Sequence, residues 1–135
     1  MRLFLDTNVL LDGYFQRPGA AASDAVIRRC SGAHSAWIAW HTLSNAFYLV
    51  RGHSRSSQTA FQFVADLLAW VEVAQVGKSD AVWAMGSGLN DFEDALQLAS
   101  ARACGAEVLI TRNTADFKQV HLAVMTPEDF LQAVP

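Results

Sequence analysis

The sequence predicts an α/β protein, a three-layer α/β/α sandwich in which helices cover both faces of a mainly parallel sheet of about five strands. Short apolar runs of strand length alternate along the chain with longer segments whose apolar residues recur at helical spacing. Parallel strands need crossover connections, usually helices, so this alternation favours parallel pairing. The 135 residues, 52% of them hydrophobic, are enough for one domain, residues 1–135, with its own core.

Five segments have the length and apolar composition of buried strands. The first ends abruptly at Asp6, where an apolar helix follows, and the third alternates apolar and polar residues. The predicted strands are residues 3–5, 34–39, 71–76, 107–111 and 122–125.

Seven segments are predicted as helices, and most end at proline or glycine, which break helical structure. Gly52 is the predicted end of the third helix, and Thr126 followed by Pro127 predicts a capped terminal helix. The fourth is expected to bury a face made of Phe61, Val64, Leu68 and Val71. The first six predicted helices are residues 9–16, 20–31, 40–50, 56–70, 78–86 and 91–103.

Composition excludes several classes of protein. No run of about 18 apolar residues is present, and the amino terminus lacks a basic segment followed by an apolar signal region. We therefore expect a cytoplasmic protein that does not enter a membrane. Cys30 and Cys104 lie in helical patterns without other ligands at zinc-site spacing, which predicts reduced core thiols.

The net charge of −3 argues against a strongly basic surface that holds nucleic acid. Bound divalent cations would offset this charge, so local contacts to phosphate remain compatible with it.

Acidic residues recur at the ends of the predicted elements. Asp6 follows the first strand, and Asp116 follows the strand at residues 107–111. Asp91 and Asp94 are three residues apart and share one helical face, whereas Glu93 is expected to point elsewhere, into solvent. The carboxyl ends of parallel strands face one crevice, where ligands bind, so Asp6, Asp91, Asp94 and Asp116 are expected to converge there.

A purely structural role is the alternative for each acid. Asp6 or Asn8 could cap the helix that follows, and Asp91 and Asp94 could interact with a helix dipole. If the acids do converge, they would repel one another without a cation. Hard oxygen ligands suit Mg²⁺ or Mn²⁺, so convergence predicts a site for one of these ions.

Three short motifs, in this order and separation, resemble those of the PIN-domain ribonucleases, which include the VapC-type toxins of bacterial toxin–antitoxin pairs. They are Asp6-Thr7-Asn8-Val9-Leu10, Asp94-Ala95-Leu96 and Thr111-Arg112-Asn113-Thr114-Ala115-Asp116-Phe117. The resemblance extends over essentially the whole chain. It implies a Mg²⁺- or Mn²⁺-dependent endoribonuclease that acts on RNA, with an antitoxin protein as partner and a homodimer as assembly.

The resemblance also assigns roles to residues of this chain. The metal ligands fall on Asp6, Asp94 and Asp116, with Asp91 as a neighbouring acid. Asn45 stands where many members have a glutamate, and Asn113 where an acid is often found, so Asp91 is expected to compensate for missing charge.

Four residues are expected to contact the substrate or to orient it. Asn45 and Thr111 would orient water or phosphate, and Arg112 and Lys118, which flank Asp116, are the candidate phosphate contacts.

Three other functions compete with this one. An inactive PIN-like domain that binds RNA or protein is favoured if Asn45 and Asn113 leave too little charge for a cation. A phosphatase of the haloacid dehalogenase type needs a second aspartate where Asn8 stands, and a suitable lysine is missing. A receiver domain needs an aspartate at the end of its middle strand, where this chain has Val76-Gly77-Lys78.

Overall fold

A computed structural model describes residues 1–118 and 120–135 of the chain. Its five strands are β1 (Arg2–Leu5), β2 (Ser35–Ile38), β3 (Val71–Val73), β4 (Val108–Ile110) and β5 (Ala123–Met125). They form one sheet in the order β3-β2-β1-β4-β5, and every neighbouring pair is parallel. The predicted three-layer α/β fold with a parallel sheet of five strands is confirmed.

The part of the chain that the structure describes contains seven α-helices and one short 3₁₀ helix. The α-helices are α1 (Thr7–Phe15), α2 (Ala20–Arg29), α3 (Trp40–Ser54), α4 (Ser57–Leu68), α5 (Lys78–Met85), α6 (Phe92–Ala103) and α7 (Pro127–Ala133). The 3₁₀ helix, Thr114–Phe117, follows β4. As predicted, Thr126 caps α7 by accepting a hydrogen bond from the backbone N–H of Asp129, and Pro127 occupies the first turn.

Strand β1 is the centre of the sheet, with β2 on one side and β4 on the other. Its side chains alternate between two cores, as the period of a strand requires. Leu3 and Leu5 pack into the larger core, which contains residues of α1, α2, α4 and α7. Phe4 packs into the second core, against Leu98 of α6.

Two predictions about the middle of the chain are wrong. Helix α3 continues through Gly52 to Ser54, and its C-cap is Arg55, whose backbone has a φ of 55°. Gly52 therefore lies inside a helix, where glycine costs roughly 1 kcal/mol relative to alanine without being forbidden. Strand β3 is three residues long, because β2 offers partners to Val71–Val73 only.

The buried face of α4 also differs from the prediction. Phe61 and Leu68 are 67% and 47% exposed, whereas Ala60 and Leu67 are buried. Apolar residues occupy both sides of this helix, so their spacing alone does not identify the side that faces the core. The aromatic ring of Phe61 is therefore exposed to solvent.

Cys30 and Cys104 are buried free thiols, as predicted. Among the described residues, no helix is both long and apolar enough to span a bilayer.

Candidate functional site

A crevice of about 420 Å³ opens beside the carboxyl ends of β1 and β4. It is lined by Asp6, Thr7, Asn8, Ser44, Asn45, Tyr48, Leu49, Glu93, Asp94 and Asn113. Three of these ten residues are acids, and they come from segments more than 80 residues apart in the chain. Two of the predicted acids, Asp6 and Asp94, therefore do meet in one crevice.

Asp6 is buried at the junction of β1 and α1. One carboxylate oxygen accepts a hydrogen bond from Nε2 of Gln97 at 2.7 Å, and the other accepts one from Oγ1 of Thr111 at 2.9 Å. Burial raises the pKa of Asp6, and the two hydrogen bonds oppose that rise. The side chain makes no capping bond to α1, so helix capping does not explain this aspartate.

Asp91 and Asp94 lie at the start of α6. Asp91 caps the helix, because its side chain accepts a hydrogen bond from the backbone N–H of Asp94 at 2.9 Å. Oxygen atoms of Asp91, Glu93 and Asp94 lie within 4.8 Å of one another. Burial raises the pKa of Asp94 to about 7, and the charges of Asp91 and Glu93 add to the effect.

Glu93 does not point into solvent, so that prediction is wrong. Its carboxylate faces the crevice and accepts hydrogen bonds from Nε2 of Gln97 at 3.0 Å and Nδ2 of Asn45 at 3.4 Å. Nε2 of His41 lies 3.3 Å from the same oxygen. Sequence reasoning missed both residues. Gln97 follows Glu93 by four residues, a spacing that places both on one side of α6, and this spacing was the one available signal.

The two asparagines that replace expected acids both line the crevice. Asn45 projects from α3 and bonds Glu93, so a carboxylate is present beside it although none is present at its own position. Asn113 follows β4, and its backbone N–H donates to Oγ1 of Thr111 at 3.1 Å. Glu93 is therefore the acid hydrogen-bonded to Asn45, whereas Asp91 caps α6.

Asp116 lies further from the centre of the site. It is an exposed residue of the 3₁₀ helix and is absent from the described crevice lining. Its charge nevertheless contributes to the raised pKa of Asp94, which places it near the rim on that side.

Arg112, a predicted phosphate contact, has its guanidinium bonded to other groups of the protein. Its guanidinium donates to both carboxylate oxygens of Glu128 at 2.7 Å, to Asp12 at 3.1 Å and to Ser23 at 3.0 Å. A further bond reaches the carbonyl of Gly19. With all five N–H groups engaged, Arg112 connects α1, α2 and α7 instead of facing substrate.

The structure places Thr111 and Lys118 in different surroundings. Thr111 is fully buried and donates a hydrogen bond to Asp6. Lys118 lines a different cavity, together with Trp83 and His121. Arg17, which sequence reasoning missed, donates to Oδ1 of Asn8 at 3.0 Å and is a cation at the edge of the crevice.

The donors that face the crevice fit a hard divalent cation. They are carboxylate oxygens, with amide oxygens of Asn8, Asn45 and Asn113 nearby, and neither sulfur nor a cluster of imidazoles is among them. Negative charge also exceeds positive charge in the lining, which contains three acids and no lysine or arginine. Mg²⁺ and Mn²⁺ are the ions that such an oxygen-rich set favours.

Comparisons with known proteins agree with this fold. The family described as "PIN domain" matches residues 2–115. Among solved structures, VapBC2 from Rickettsia felis, bound to a DNA fragment from its promoter, superposes with a TM-score of 0.73 at 16% identity, over 92% of this chain and 97% of that one. VapBC-1 from nontypeable Haemophilus influenzae gives a TM-score of 0.71 at 17% identity, over 95% and 99%.

A toxin–antitoxin complex from Klebsiella pneumoniae gives a TM-score of 0.69 at 22% identity, over 93% of this chain and 97% of that one. No curated protein sequence matches the chain significantly. These structural likenesses, all below 25% identity, show a shared fold, and the family match covers most of the chain.

Proposed function

Because this chain belongs to the PIN domain family, we propose that it is a metal-dependent endoribonuclease that cleaves RNA phosphodiester bonds, as the toxin of a type II toxin–antitoxin pair. The observation that carries the proposal is the meeting of Asp6, Glu93 and Asp94 in one crevice. Such a cluster of carboxylates is unfavourable without a cation, and a helix cap accounts for Asp91 alone.

A Mg²⁺ or Mn²⁺ ion would be held by Asp6, Glu93 and Asp94, with Asp91 beside them. Asp116 remains a proposed ligand at the rim, since its charge acts on Asp94. When bound, such an ion supplies Lewis acidity toward water and offsets charge on the scissile phosphate.

Other residues at the crevice orient the reacting groups. Thr111 and Gln97 each donate to one oxygen of Asp6, so this carboxylate has one defined orientation in the metal-free protein. The side chains of Ser44, Asn45 and Asn113 offer hydrogen bonds to phosphate or ribose. Tyr48, exposed on the same wall, offers an aromatic face on which an unpaired base can stack.

An inactive PIN-like domain that binds RNA or protein is the second candidate. The neutral side chains of Asn45 and Asn113 favour it, because each replaces an expected charge at the crevice. Glu93 argues against it by restoring a carboxylate beside Asn45. Titration with Mn²⁺ separates the two: a nuclease binds the cation and an inactive module leaves it unbound.

Cleavage of single-stranded and hairpin RNA tests the proposal. We expect activity in Mg²⁺ or Mn²⁺, loss of activity in EDTA, recovery when the metal is returned, and no activity in Asp94→Asn. Asp66→Asn, on the outside of α4, is the matched control and should retain activity. Cleavage that persists in EDTA, or in Asp94→Asn, would contradict the proposal.

An antitoxin partner is part of the proposal. An apolar surface beside the crevice is suited to it: Tyr48 and Leu49 of α3 are exposed and line the crevice, and Phe61 is exposed on α4. A peptide bound across this surface would cover the carboxylates. We expect the chain to co-purify with the protein encoded by the neighbouring gene, and Phe61→Ser to weaken this association. Co-purification that is unchanged in Phe61→Ser would contradict this placement.

We also propose a homodimer in the cytoplasm. Val82 and Met85 of α5 are 63% and 74% exposed, and Trp40 is 69% exposed beside a narrow apolar cavity that includes Val76. A second copy would bury these side chains. Light scattering should show a dimer for the native chain and a monomer for Met85→Glu; a monomeric native chain would refute the assembly.

A further inference from the structure

Gln97 is a buried polar residue at the floor of the crevice. Its side chain projects from α6 toward the end of β1 and is 1% exposed. A single nitrogen atom, Nε2, lies 2.7 Å from Oδ1 of Asp6 and 3.0 Å from Oε1 of Glu93. One amide group therefore bridges two carboxylates that come from opposite sides of the site.

The orientation of this amide follows from the charges around it. Its NH₂ group has two protons, one for each carboxylate, whereas its oxygen would be repelled by both. The orientation has a cost, because Oε1 of Gln97 is buried and lacks a hydrogen-bond partner. It is the one side-chain polar atom in this condition among the described residues.

We propose that the Gln97 carboxamide is a built-in substitute for a cation, which holds Asp6 and Glu93 together when no metal is bound and must release their oxygens when a metal binds. The second half of this statement rests on the proposed function. Gln97 is then a positioning residue, and it sets how much free Mg²⁺ or Mn²⁺ the protein needs.

The surrounding contacts explain why Gln97, and not another donor, has this effect. Thr111 donates to the second oxygen of Asp6, on the side of β4, and has no contact with Glu93. Asn45 and His41 approach Glu93 at 3.4 and 3.3 Å and have no bond to Asp6. Among the described side chains, the Gln97 amide is the hydrogen-bond donor shared by both acids.

A double-mutant cycle in EDTA tests the bridge without any metal. The variants are Gln97→Met, which keeps the length of the side chain but lacks the NH₂ group, Glu93→Gln, and the two combined. We expect Gln97→Met to lower the unfolding midpoint in urea in the wild-type background and to have a much smaller effect when residue 93 is already neutral. Additive effects would mean that Gln97 acts by packing alone, and would overturn the proposal.

Gln62→Met is the matched control. Gln62 lies on the exposed side of α4 and donates to Asp66 at 2.8 Å, also with a spacing of four residues. Its substitution should change the midpoint little and should not couple to Glu93→Gln.

Titration with Mg²⁺ tests the release of the oxygens. We expect Gln97→Met to bind Mg²⁺ with about three- to tenfold lower Kd than wild type, because the charge-assisted hydrogen bonds from Gln97 to Asp6 and Glu93 no longer have to be broken. An equal or higher Kd would overturn the substitute role. If Mg²⁺ binds neither protein, the proposed metal dependence fails and so does the substitute role, whereas the cycle in EDTA still decides the bridge.

Side-chain amide signals give a readout on the unaltered protein, in case Gln97→Met does not fold. In EDTA, the ¹⁵N–¹H signals of the Gln97 NH₂ group should exchange slowly with solvent, since both protons are bonded and buried. Addition of Mg²⁺ should shift these signals and speed their exchange. Signals that stay unchanged while Mg²⁺ binds elsewhere in the protein would contradict the proposal.

Discussion

Glu93 shows that the charge of a site can be kept when its position in the chain moves. Asn45 leaves α3 without the carboxylate expected there, and Glu93 reaches the same place from α6. The two side chains are hydrogen-bonded, so a charge on either one would lie at nearly the same point of the crevice. The metal site proposed above depends on that point and not on the helix that supplies the charge.

Exchange of the two residues tests this equivalence. Glu93→Gln should weaken Mn²⁺ binding by about 10- to 100-fold, which is the range found even for outer-shell partners of metal ligands. Addition of Asn45→Glu to that variant should restore most of the affinity. Calorimetry measures both effects, with Glu72→Gln, an exposed position of β3, as the control. If the double variant binds no better than Glu93→Gln, the two positions are not equivalent.

The pKa of Asp94, raised by burial to about 7, gives a prediction for pH dependence. The unfolded chain loses this proton near its ordinary pKa of 3.8, whereas the folded protein keeps it up to about 7. Protonation therefore favours the folded state, and the stability of the metal-free protein should fall as the pH rises from about 4 to about 7. Urea unfolding in EDTA at several pH values should show this decline, and Asp94→Asn should reduce it. An identical decline in the variant would assign the effect to another group.

At the scale of elements, Arg112 connects the start of the chain to its end. Its guanidinium holds Asp12 of α1 and Glu128 of α7, and it contacts Ser23 of α2 as well. The Arg112 bonds lower the pKa of Glu128 and keep this carboxylate charged. The residue that follows the buried Thr111 thus fixes three helices on one side of the sheet.

Substitution of Arg112 should affect stability and not catalysis. Arg112→Lys keeps the charge but loses the planar set of donors, so we expect a loss of about 2–3 kcal/mol in the free energy of unfolding. Lys118→Ala, an exposed position nearby, should cost less than about 0.5 kcal/mol. Urea unfolding gives the stabilities. An increase in the KM for RNA, with unchanged stability, would instead indicate that Arg112 contacts phosphate.

The elements differ in how far the sequence could predict them. Strands and most helices follow from apolar spacing, because burial on one or both faces leaves a periodic pattern. The end of α3 could not be predicted from this spacing, since Gly52 is compatible with both a helix interior and a helix end. The buried face of α4 could not be predicted either, because tertiary packing buries Ala60 and Leu67 and leaves the larger Phe61 exposed.

The residues of the site also differ in how far the sequence could predict their positions. Asp6 and Asp94 could be placed in one crevice because strand ends and helix faces are local properties. The roles of Glu93, Gln97 and Arg112 could not be read locally, because each depends on a partner 40 or more residues away or on a competing carboxylate. Arg112 in particular has two acids within reach that the order of the sequence does not indicate.

For the whole molecule, a bound cation should connect segments that are distant in sequence. In EDTA, Asp94→Asn removes part of the repulsion among the carboxylates, so we expect the variant to melt at a higher temperature than wild type. With Mg²⁺ at a hundredfold excess over its Kd, wild type should gain about 2.7 kcal/mol and the variant little, which reverses their order. Calorimetric melts with and without Mg²⁺ measure both. Parallel shifts would show that Asp94 acts only within its helix.

The central position of β1 has a consequence for the time during synthesis at which the crevice can form. Leu3 pairs with Val108, and Asp6 accepts a hydrogen bond from Thr111. Both the sheet and the crevice therefore need contacts between residues more than 100 positions apart in the chain. During synthesis, the first strand emerges long before its second neighbour exists. Pairing of such distant segments is slow, and domains complete their folding as units. A partial chain on the ribosome would therefore not yet contain the finished crevice.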